Sequence, residues 1–154
     1  MIRTERRLRL CAALIVCNIA FIWGNSLLPG EVSGAISDWV KEILAKLLAS
    51  DDLSSSGGGL LRKLAHFSEF AALGMLLSWL FGMLQKRKRY AALCGFFTAC
   101  VDETIQRFVP DRGPSIFDVG IDTCGVLTGM LLIFIGYSIL SNSKNKNPME
   151  ETEL

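Results

Sequence analysis

The chain has 154 residues, 51% of them hydrophobic, and a mean hydropathy of +0.39. This composition is too apolar for an ordinary soluble domain, and the length suffices for one compact unit. The formal net charge of +1 argues against a nucleic-acid-binding protein, which needs a basic face to neutralise phosphates. The cysteines lie in apolar runs without CxxC spacing, and we interpret them as small buried hydrophobic residues: Cys11, Cys17, Cys94, Cys100 and Cys124.

The apolar runs predict an all-α integral membrane protein, because about 20 apolar residues are needed to cross a bilayer. Four spans are predicted, over residues 8–28, 60–84, 90–109 and 116–140. The first and last spans are nearly free of charge, whereas the middle two carry ionisable residues. We expect a four-helix bundle that forms one domain over residues 1–140, followed by a disordered cytoplasmic tail over residues 141–154.

Lys and Arg residues predict the orientation of these spans in a bacterial cell membrane, since cytoplasmic segments carry an excess of them. Three segments are basic: the N-terminus, the connection between spans two and three, and the tail (Arg3, Arg6, Arg7 and Arg9; Lys86, Arg87, Lys88 and Arg89; Lys144 and Lys146). The segment between spans one and two instead has two lysines against five acids. A multi-pass protein with both termini in the cytoplasm is therefore predicted.

The first 28 residues have two interpretations. A basic start followed by an apolar run is also typical of a cleaved signal peptide. Here the apolar run is long for such a peptide, and no A-x-A cleavage site follows it. A retained signal-anchor helix is therefore the favoured prediction.

The segment after span one contains "ISDWVKEILAKLLAS", whose apolar residues recur at helical spacing. They are Ile36, Trp39, Val40, Ile43, Leu44, Leu47 and Leu48. This periodicity predicts an additional amphipathic helix over residues 36–49 on the outer side of the membrane. It lies in the outer interface, with Trp39 at headgroup level, or it forms a lid packed on the outer end of the bundle. The following "SSSGGG", residues 54–59, is typical of a flexible joint.

Ionisable residues occur at the outer ends of spans two, three and four, and their spacing places them on common helix faces. Span two carries Arg62, His66 and Glu69, with Lys63 adjacent; span three carries Asp102 and Gln106, with Glu103 adjacent; span four carries Asp118 and Asp122. At 1.5 Å per residue, His66, Asp102 and Asp122 each lie about 10 Å below the outer helix end. The sequence therefore predicts a polar cluster at one depth of the outer leaflet.

The cluster has a functional and a structural interpretation. Five acids, Glu69, Asp102, Glu103, Asp118 and Asp122, face few bases, and ionisable residues within a membrane usually mark a functional site. The alternative is an interhelical salt-bridge network that only braces the bundle. In the loop "VPDRGPSIFD", Arg112 lies between turn-forming residues, and we expect it to contact the ligand or the cluster. Gly125 and Gly129 are interpreted as ordinary helix-packing residues.

Four stretches resemble the VanZ-like family of bacterial membrane proteins: "NSLLPGEVS", "RKLAHFSEF", "DETIQRFVPDRGPSIFD" and "DTCGVLTG". The resemblance extends from about Ile19 to Leu131. It matches Arg62 or Lys63, His66, Glu69, Asp102, Glu103, Gln106, Arg112, Asp118, Gly125 and Gly129. Two positions differ from the common pattern, because Phe70 stands where Tyr is frequent and Asp122 stands where Asn is frequent.

The resemblance implies a role in the cell envelope and in resistance to teicoplanin-like lipoglycopeptides, without implying a particular reaction. One hypothesis is an enzyme that acts on a lipid-linked envelope substrate, with His66, Glu69, Asp102 and Glu103 as acid–base candidates. A divalent metal is a candidate cofactor, held by the oxygens of Glu69, Asp102, Glu103 and Asp118.

A second hypothesis is a binding protein that holds a membrane lipid, a lipid-linked envelope precursor or a lipoglycopeptide antibiotic. The candidate binding residues are Arg62, Lys63, Gln106, Arg112, Asp118 and Asp122. A third hypothesis is a small assembly partner whose salt-bridge network has no ligand of its own. Turnover or purified activity would distinguish the three.

Overall fold

The computed structural model describes residues 2–48 and 58–146, and these two ranges contain helices and turns but no strand. Five helices occur in them: α1 (Ile2–Ser26), α2 (Gly30–Leu48), α3 (Gly58–Met83), α4 (Arg89–Gln106) and α5 (Ile116–Lys146). The all-α prediction is confirmed. The described ranges leave out residues 54–57 of the predicted flexible joint and residues 147–154 of the predicted tail. Residues 141–146, the first part of that predicted tail, are helical and continue α5.

Three helices are long and apolar enough to cross a membrane. The suitable stretches are Thr4–Ser26 in α1, Gly59–Met83 in α3 and Ile116–Asn142 in α5. Helix α4 has 18 residues and carries Arg89, Asp102 and Glu103. It is therefore shorter than these three helices and is not among the candidate spans. The fourth span thus stays a prediction.

The distribution of polar and apolar side chains is inverted relative to that of a soluble protein. Asp102 and Asp122 are buried, whereas Phe21, Phe97 and Phe134 are more than half exposed. Large exposed apolar surfaces mark a membrane or an interface. Most of the cysteines are likewise apolar side chains on the surface of the fold: Cys11 is buried, but Cys17, Cys94 and Cys124 are exposed. Their interpretation as buried residues was therefore wrong for these three, because they lie on outward helix faces.

Helices α3 and α5 form the central pair of the fold, and their backbones approach closely. A Cβ atom at Gly74 would collide with the carbonyl of Val126, and one at Gly129 would collide with the carbonyl of Ala71. Residues without a side chain permit such contact between membrane helices. The structure thus confirms the packing interpretation of Gly129, and Gly125 packs against Phe67 and Phe70 in the same way.

The remaining helices surround this pair. Helices α1 and α4 each pack against α3 and also against each other, and α4 packs against α5. Phe70, Leu73 and Val126 are fully buried where α3 and α5 meet the surrounding helices, together with Ile22 of α1. The C-terminal ends of α1 and α4 and the N-terminal ends of α3 and α5 are thereby brought to the same end of the fold.

Helix α2 begins at Gly30, earlier than the predicted residue 36. The Gly30 amide donates a hydrogen bond of 3.1 Å to the carbonyl of Pro110, and a Cβ atom at Gly30 would collide with the backbone of Asp111. This contact between the start of α2 and the α4–α5 loop is tertiary and could not be read from helical periodicity. Helix α2 packs against α3, while Trp39 is 64% exposed. The side chains of Leu44, Leu47 and Leu48 lie outside those described.

Candidate functional site

A cavity of about 150 Å³ lies between α3, α4, α5 and the α4–α5 loop. A water molecule occupies about 30 Å³ in the liquid, so the cavity has room for a few waters or one small polar group. Eight of the ten candidate site residues line it: Arg62, Lys63, His66, Glu103, Gln106, Arg112, Asp118 and Asp122. The predicted convergence of three helix ends at one level is therefore present in the structure.

The side chain of Gln106 connects four polar residues around this cavity. Its Oε1 accepts hydrogen bonds from Arg62 Nη2 at 3.0 Å and from Arg112 Nη1 at 3.4 Å. Its Nε2 donates to Asp102 Oδ2 at 3.0 Å and to Ser26 Oγ at 3.4 Å. Because both ends of the amide are used, Gln106 keeps the arginines on one side and Asp102 on the other.

Arg112 contacts the cluster, as predicted, and it also fastens the α4–α5 loop to the end of α1. Its Nε donates to the carbonyl of Leu28 at 3.0 Å, and its Nη2 donates to the carbonyl of Asn25 at 2.8 Å. The carbonyl of Asn25 belongs to the last turn of α1, whose carbonyl groups lack partners within the helix, and the carbonyl of Leu28 lies just beyond that helix. Burial lowers the pKa of the guanidinium, and the charge of Arg62 acts in the same direction, yet an arginine stays protonated.

Two carboxylates, Glu103 of α4 and Asp118 of α5, make contacts that position the start of α5. Glu103 Oε2 accepts the backbone amide of Ser115 at 2.9 Å, and Ser115 immediately precedes the first residue of α5. Asp118 Oδ1 lies 3.3 Å from Lys63 Nζ, in a pair whose side chains are about one half and one third exposed. Both contacts hold the N-terminal end of α5 against α3 and α4. Part of the predicted salt-bridge network is thus real.

His66, Asp102 and Asp122 come from three different helices and meet in the interior. Each offers one nitrogen or carboxylate oxygen within 4.8 Å of those of the other two. His66 Nδ1 and Asp102 Oδ2 are 3.9 Å apart, which is too long for a hydrogen bond. Asp102 and Asp122 are almost completely buried. The three residues predicted to share a depth therefore share a site.

Glu69 faces a second cavity, of about 230 Å³, between α1, α2 and α3. Its Oε1 accepts a hydrogen bond of 2.9 Å from Asn25 Nδ2. The second cavity shares Arg62, His66 and Arg112 with the first, so these side chains form a wall between the two. The side of this cavity formed by α1, α2 and the residues between them combines three apolar and three polar residues: Phe21, Leu28 and Ile36 with Asn25, Ser33 and Ser37.

Comparison with known proteins decides the family of this fold. The VanZ/LLP1 family model matches residues 10–137, which is most of the chain and includes all ten candidate residues. The chain belongs to the VanZ/LLP1 family. Neither a curated protein nor a solved structure gives a significant match. The resemblance inferred from the sequence is thereby confirmed.

In this VanZ/LLP1 family member, the set of residues that could hold a metal differs from the predicted one. The predicted ligands were Glu69, Asp102, Glu103 and Asp118; among the described residues, the structure gathers His66, Asp102 and Asp122. The other three carboxylates make different contacts. Glu69 bonds to α1, Glu103 bonds to the backbone before α5, and Asp118 pairs with Lys63. Only Asp102 is common to both sets.

Two site residues on α1 were missed by the sequence analysis. Asn25 binds Glu69, and Ser26 is fully buried beside Gln106. A signal for both was present, because they are consecutive polar residues at the C-terminal end of a long apolar run. They lie at the same end of the fold as the polar residues of α3, α4 and α5.

Proposed function

We propose that this protein binds the anionic headgroup of a lipid-linked cell-envelope component in the outer leaflet, and that this binding underlies teicoplanin-type resistance. Family membership suggests the resistance phenotype, and the two adjoining cavities suggest the ligand class. A lipoglycopeptide antibiotic, which also combines polar groups with an acyl chain, is the other ligand of this type.

The observation that carries the proposal is the shared wall of the two cavities. On one side of Arg62, His66 and Arg112 is the polar cavity, and on the other side is the cavity lined by Phe21, Leu28 and Ile36. An amphiphile has one charged end and one apolar chain, so its charged end matches the polar cavity and its chain matches the apolar side chains of Phe21, Leu28 and Ile36. Phe21 and Ile36 are 58% and 48% exposed, which leaves the second cavity accessible from the helix surfaces that lipid would cover.

Arg62 is the side chain best suited to hold an anionic group. It lines both cavities, and its contact with Gln106 uses one of five N–H donors. The remaining fork of donors matches a phosphate or carboxylate. Arg112, in contrast, is occupied by two backbone carbonyls and Gln106, so it contributes mainly a fixed positive charge beside the ligand.

Replacing Arg62 with Gln is expected to weaken lipid-phosphate binding by about 10- to 100-fold, because a hydrogen bond to a charged group contributes about 1.5–3 kcal/mol. The measurement is binding of a polyprenyl phosphate to the purified protein in nanodiscs, with the neutral polyprenol as reference ligand. Arg107→Gln is the matched control, since Arg107 is exposed and lines neither of the two cavities. Equal affinity for phosphate and polyprenol in the wild type would refute an anion site.

The proposed orientation places this site on the outer side, with both termini and the α3–α4 connection in the cytoplasm. Single cysteines are introduced at Gly113 and at Lys88 in a cysteine-free background; both positions are exposed, and a side chain at Gly113 meets open space. A membrane-impermeant maleimide added to intact cells is expected to label position 113 and to leave position 88 unlabelled until the cells are permeabilised. The reverse pattern would place the site on the cytoplasmic side.

A structural role without a ligand is the second candidate function, and specific contacts favour it. Arg112 joins the α4–α5 loop to α1, Glu69 joins α3 to α1, and Glu103 holds the start of α5. Under this alternative, the Arg62→Gln protein would lose stability and no lipid phosphate would bind the wild type. The binding measurement above therefore separates the two candidates.

A further inference from the structure

We propose that His66, Asp102 and Asp122 together bind one divalent transition-metal ion. The inference goes beyond the proposed function, because neither the contacts of Arg62 nor the second cavity requires a metal. The three residues lie on α3, α4 and α5 respectively, so an ion held by them would also join these helices at the centre of the site.

The spacing of the three residues suits metal ligation better than direct contact. The 3.9 Å between His66 Nδ1 and Asp102 Oδ2 exceeds a hydrogen-bond distance. Two ligand atoms about 2.1 Å from one metal ion are about 3.4 Å apart in tetrahedral geometry. A spread within 4.8 Å for all three atoms therefore needs only small side-chain adjustments to close around an ion.

Polar atoms of all three residues lack other partners in the described part of the chain. His66 Nδ1, Asp102 Oδ1 and Asp122 Oδ1 are buried and accept or donate no hydrogen bond there. Asp102 is 0% exposed and Asp122 is 1% exposed. A buried carboxylate oxygen without a partner is costly, and coordination of a cation removes that cost. Two nearly fully buried carboxylates, Asp102 and Asp122, that each keep an oxygen without a partner beside the gathered ligand atoms are the second, independent sign of a ligand.

The surroundings provide support for these ligands and a charge that an ion would balance. Gln106 Nε2 holds Asp102 Oδ2 at 3.0 Å, in the manner of the outer hydrogen bonds that orient metal ligands. Around the site, five carboxylates face three permanent cations: Glu69, Asp102, Glu103, Asp118 and Asp122 against Arg62, Lys63 and Arg112. Exposed Asp111 adds a further acid. Counted as formal charges, the carboxylates exceed the cations by at least two, and a divalent ion would balance that difference.

The donor set indicates the class of metal. One imidazole nitrogen with two carboxylates suits zinc, manganese or ferrous iron, whereas magnesium and calcium prefer oxygen ligands throughout. Three protein ligands would leave a coordination position directed to the cavity that adjoins His66 and Asp122. An anionic group in that cavity could therefore approach the ion and Arg62 at the same time.

The test is the metal content of the full-length protein purified in mild detergent, loaded with Zn²⁺ and then desalted. The wild type is expected to retain about one zinc per chain, in keeping with a single site of three protein ligands. X-ray absorption at the zinc edge is expected to show one imidazole among oxygen ligands. Asp122→Ala and His66→Phe are each expected to reduce zinc to well below stoichiometric amounts.

Asp118→Ala is the matched control, because Asp118 lines the same cavity but lies outside the three-residue group; it is expected to retain zinc. A wild-type protein that retains no zinc, or an Asp122→Ala protein that retains as much as the wild type, would overturn the inference. The wild-type measurements do not depend on whether any variant folds. Since they use no lipid, failure of the metal site and failure of the lipid-binding proposal are distinguishable.

Discussion

Replacement of Asp102 with Asn is expected to abolish resistance while the protein accumulates to its normal level. Asp102 is fully buried and is bonded to Gln106 at 3.0 Å. Asn has nearly the same shape and keeps an oxygen that accepts this bond, so the packing of α4 changes little. The substitution removes the negative charge that lies 3.9 Å from His66. Acid–base chemistry, cation binding and the electrostatics of the cavity all depend on that charge.

The measurement is susceptibility to teicoplanin in a strain that depends on this protein, together with quantitative immunoblotting of the membrane fraction. The expected susceptibility equals that of a strain without the protein. Asp38→Asn is the control, since it makes the same chemical change at an exposed position of α2. Wild-type resistance from a normally accumulated Asp102→Asn protein would assign Asp102 a purely structural role.

Replacement of Gly129 with Ala is expected to destabilise the protein by about 3 kcal/mol or more, at the upper end of the range for overpacked interiors. The added methyl would collide with the carbonyl of Ala71 and approach the amide of Met75 at 2.9 Å. Both are backbone atoms of α3, so no side-chain rotation relieves the clash and the two central helices must separate. The site is then lost indirectly, because α3 and α5 supply His66 and Asp122.

Thermal unfolding of the purified protein in detergent, followed by circular dichroism, measures this effect. Gly136→Ala is the matched control on the same helix, since a Cβ atom there has no neighbour within 4 Å, and it is expected to unfold at the wild-type temperature or slightly above. Equal unfolding temperatures for Gly129→Ala and the wild type would mean that α3 and α5 do not pack through their backbones in the membrane protein.

Much of the fold could be predicted from the sequence because membrane spans depend on local composition. The predicted span at residues 116–140 begins where α5 begins, and those at 60–84 and 90–109 agree with α3 and α4 within a few residues. The start of α2 was missed because it depends on the bond between Gly30 and Pro110, which are distant in sequence. Helix α5 continues past Leu140 to Lys146, because loss of apolar character does not by itself end a helix.

The gathering of the polar site residues could be predicted from the sequence, but their individual contacts could not. Helical spacing and depth alone predict that His66, Asp102 and Asp122 lie at one level, and the three residues do lie together. The direction of each side chain depends on its partners: Glu69 turns to Asn25, and Glu103 turns to Ser115. Neither partner follows from periodicity, so the sequence could not separate the carboxylates that brace helices from those that face His66.

Identification of the lipid bound to the wild-type protein tests whether the site holds an anionic lipid headgroup. The protein is extracted from its native membrane in mild detergent and examined by native mass spectrometry, with the bound lipid identified after release. We expect the wild type to carry a phosphate-bearing, lipid-linked envelope component in a stoichiometric amount relative to the protein. This lipid is expected to be lost in Arg62→Gln but retained in Arg107→Gln. Recovery of the wild type without such a lipid, or with the same lipid equally bound to Arg62→Gln, would contradict the account.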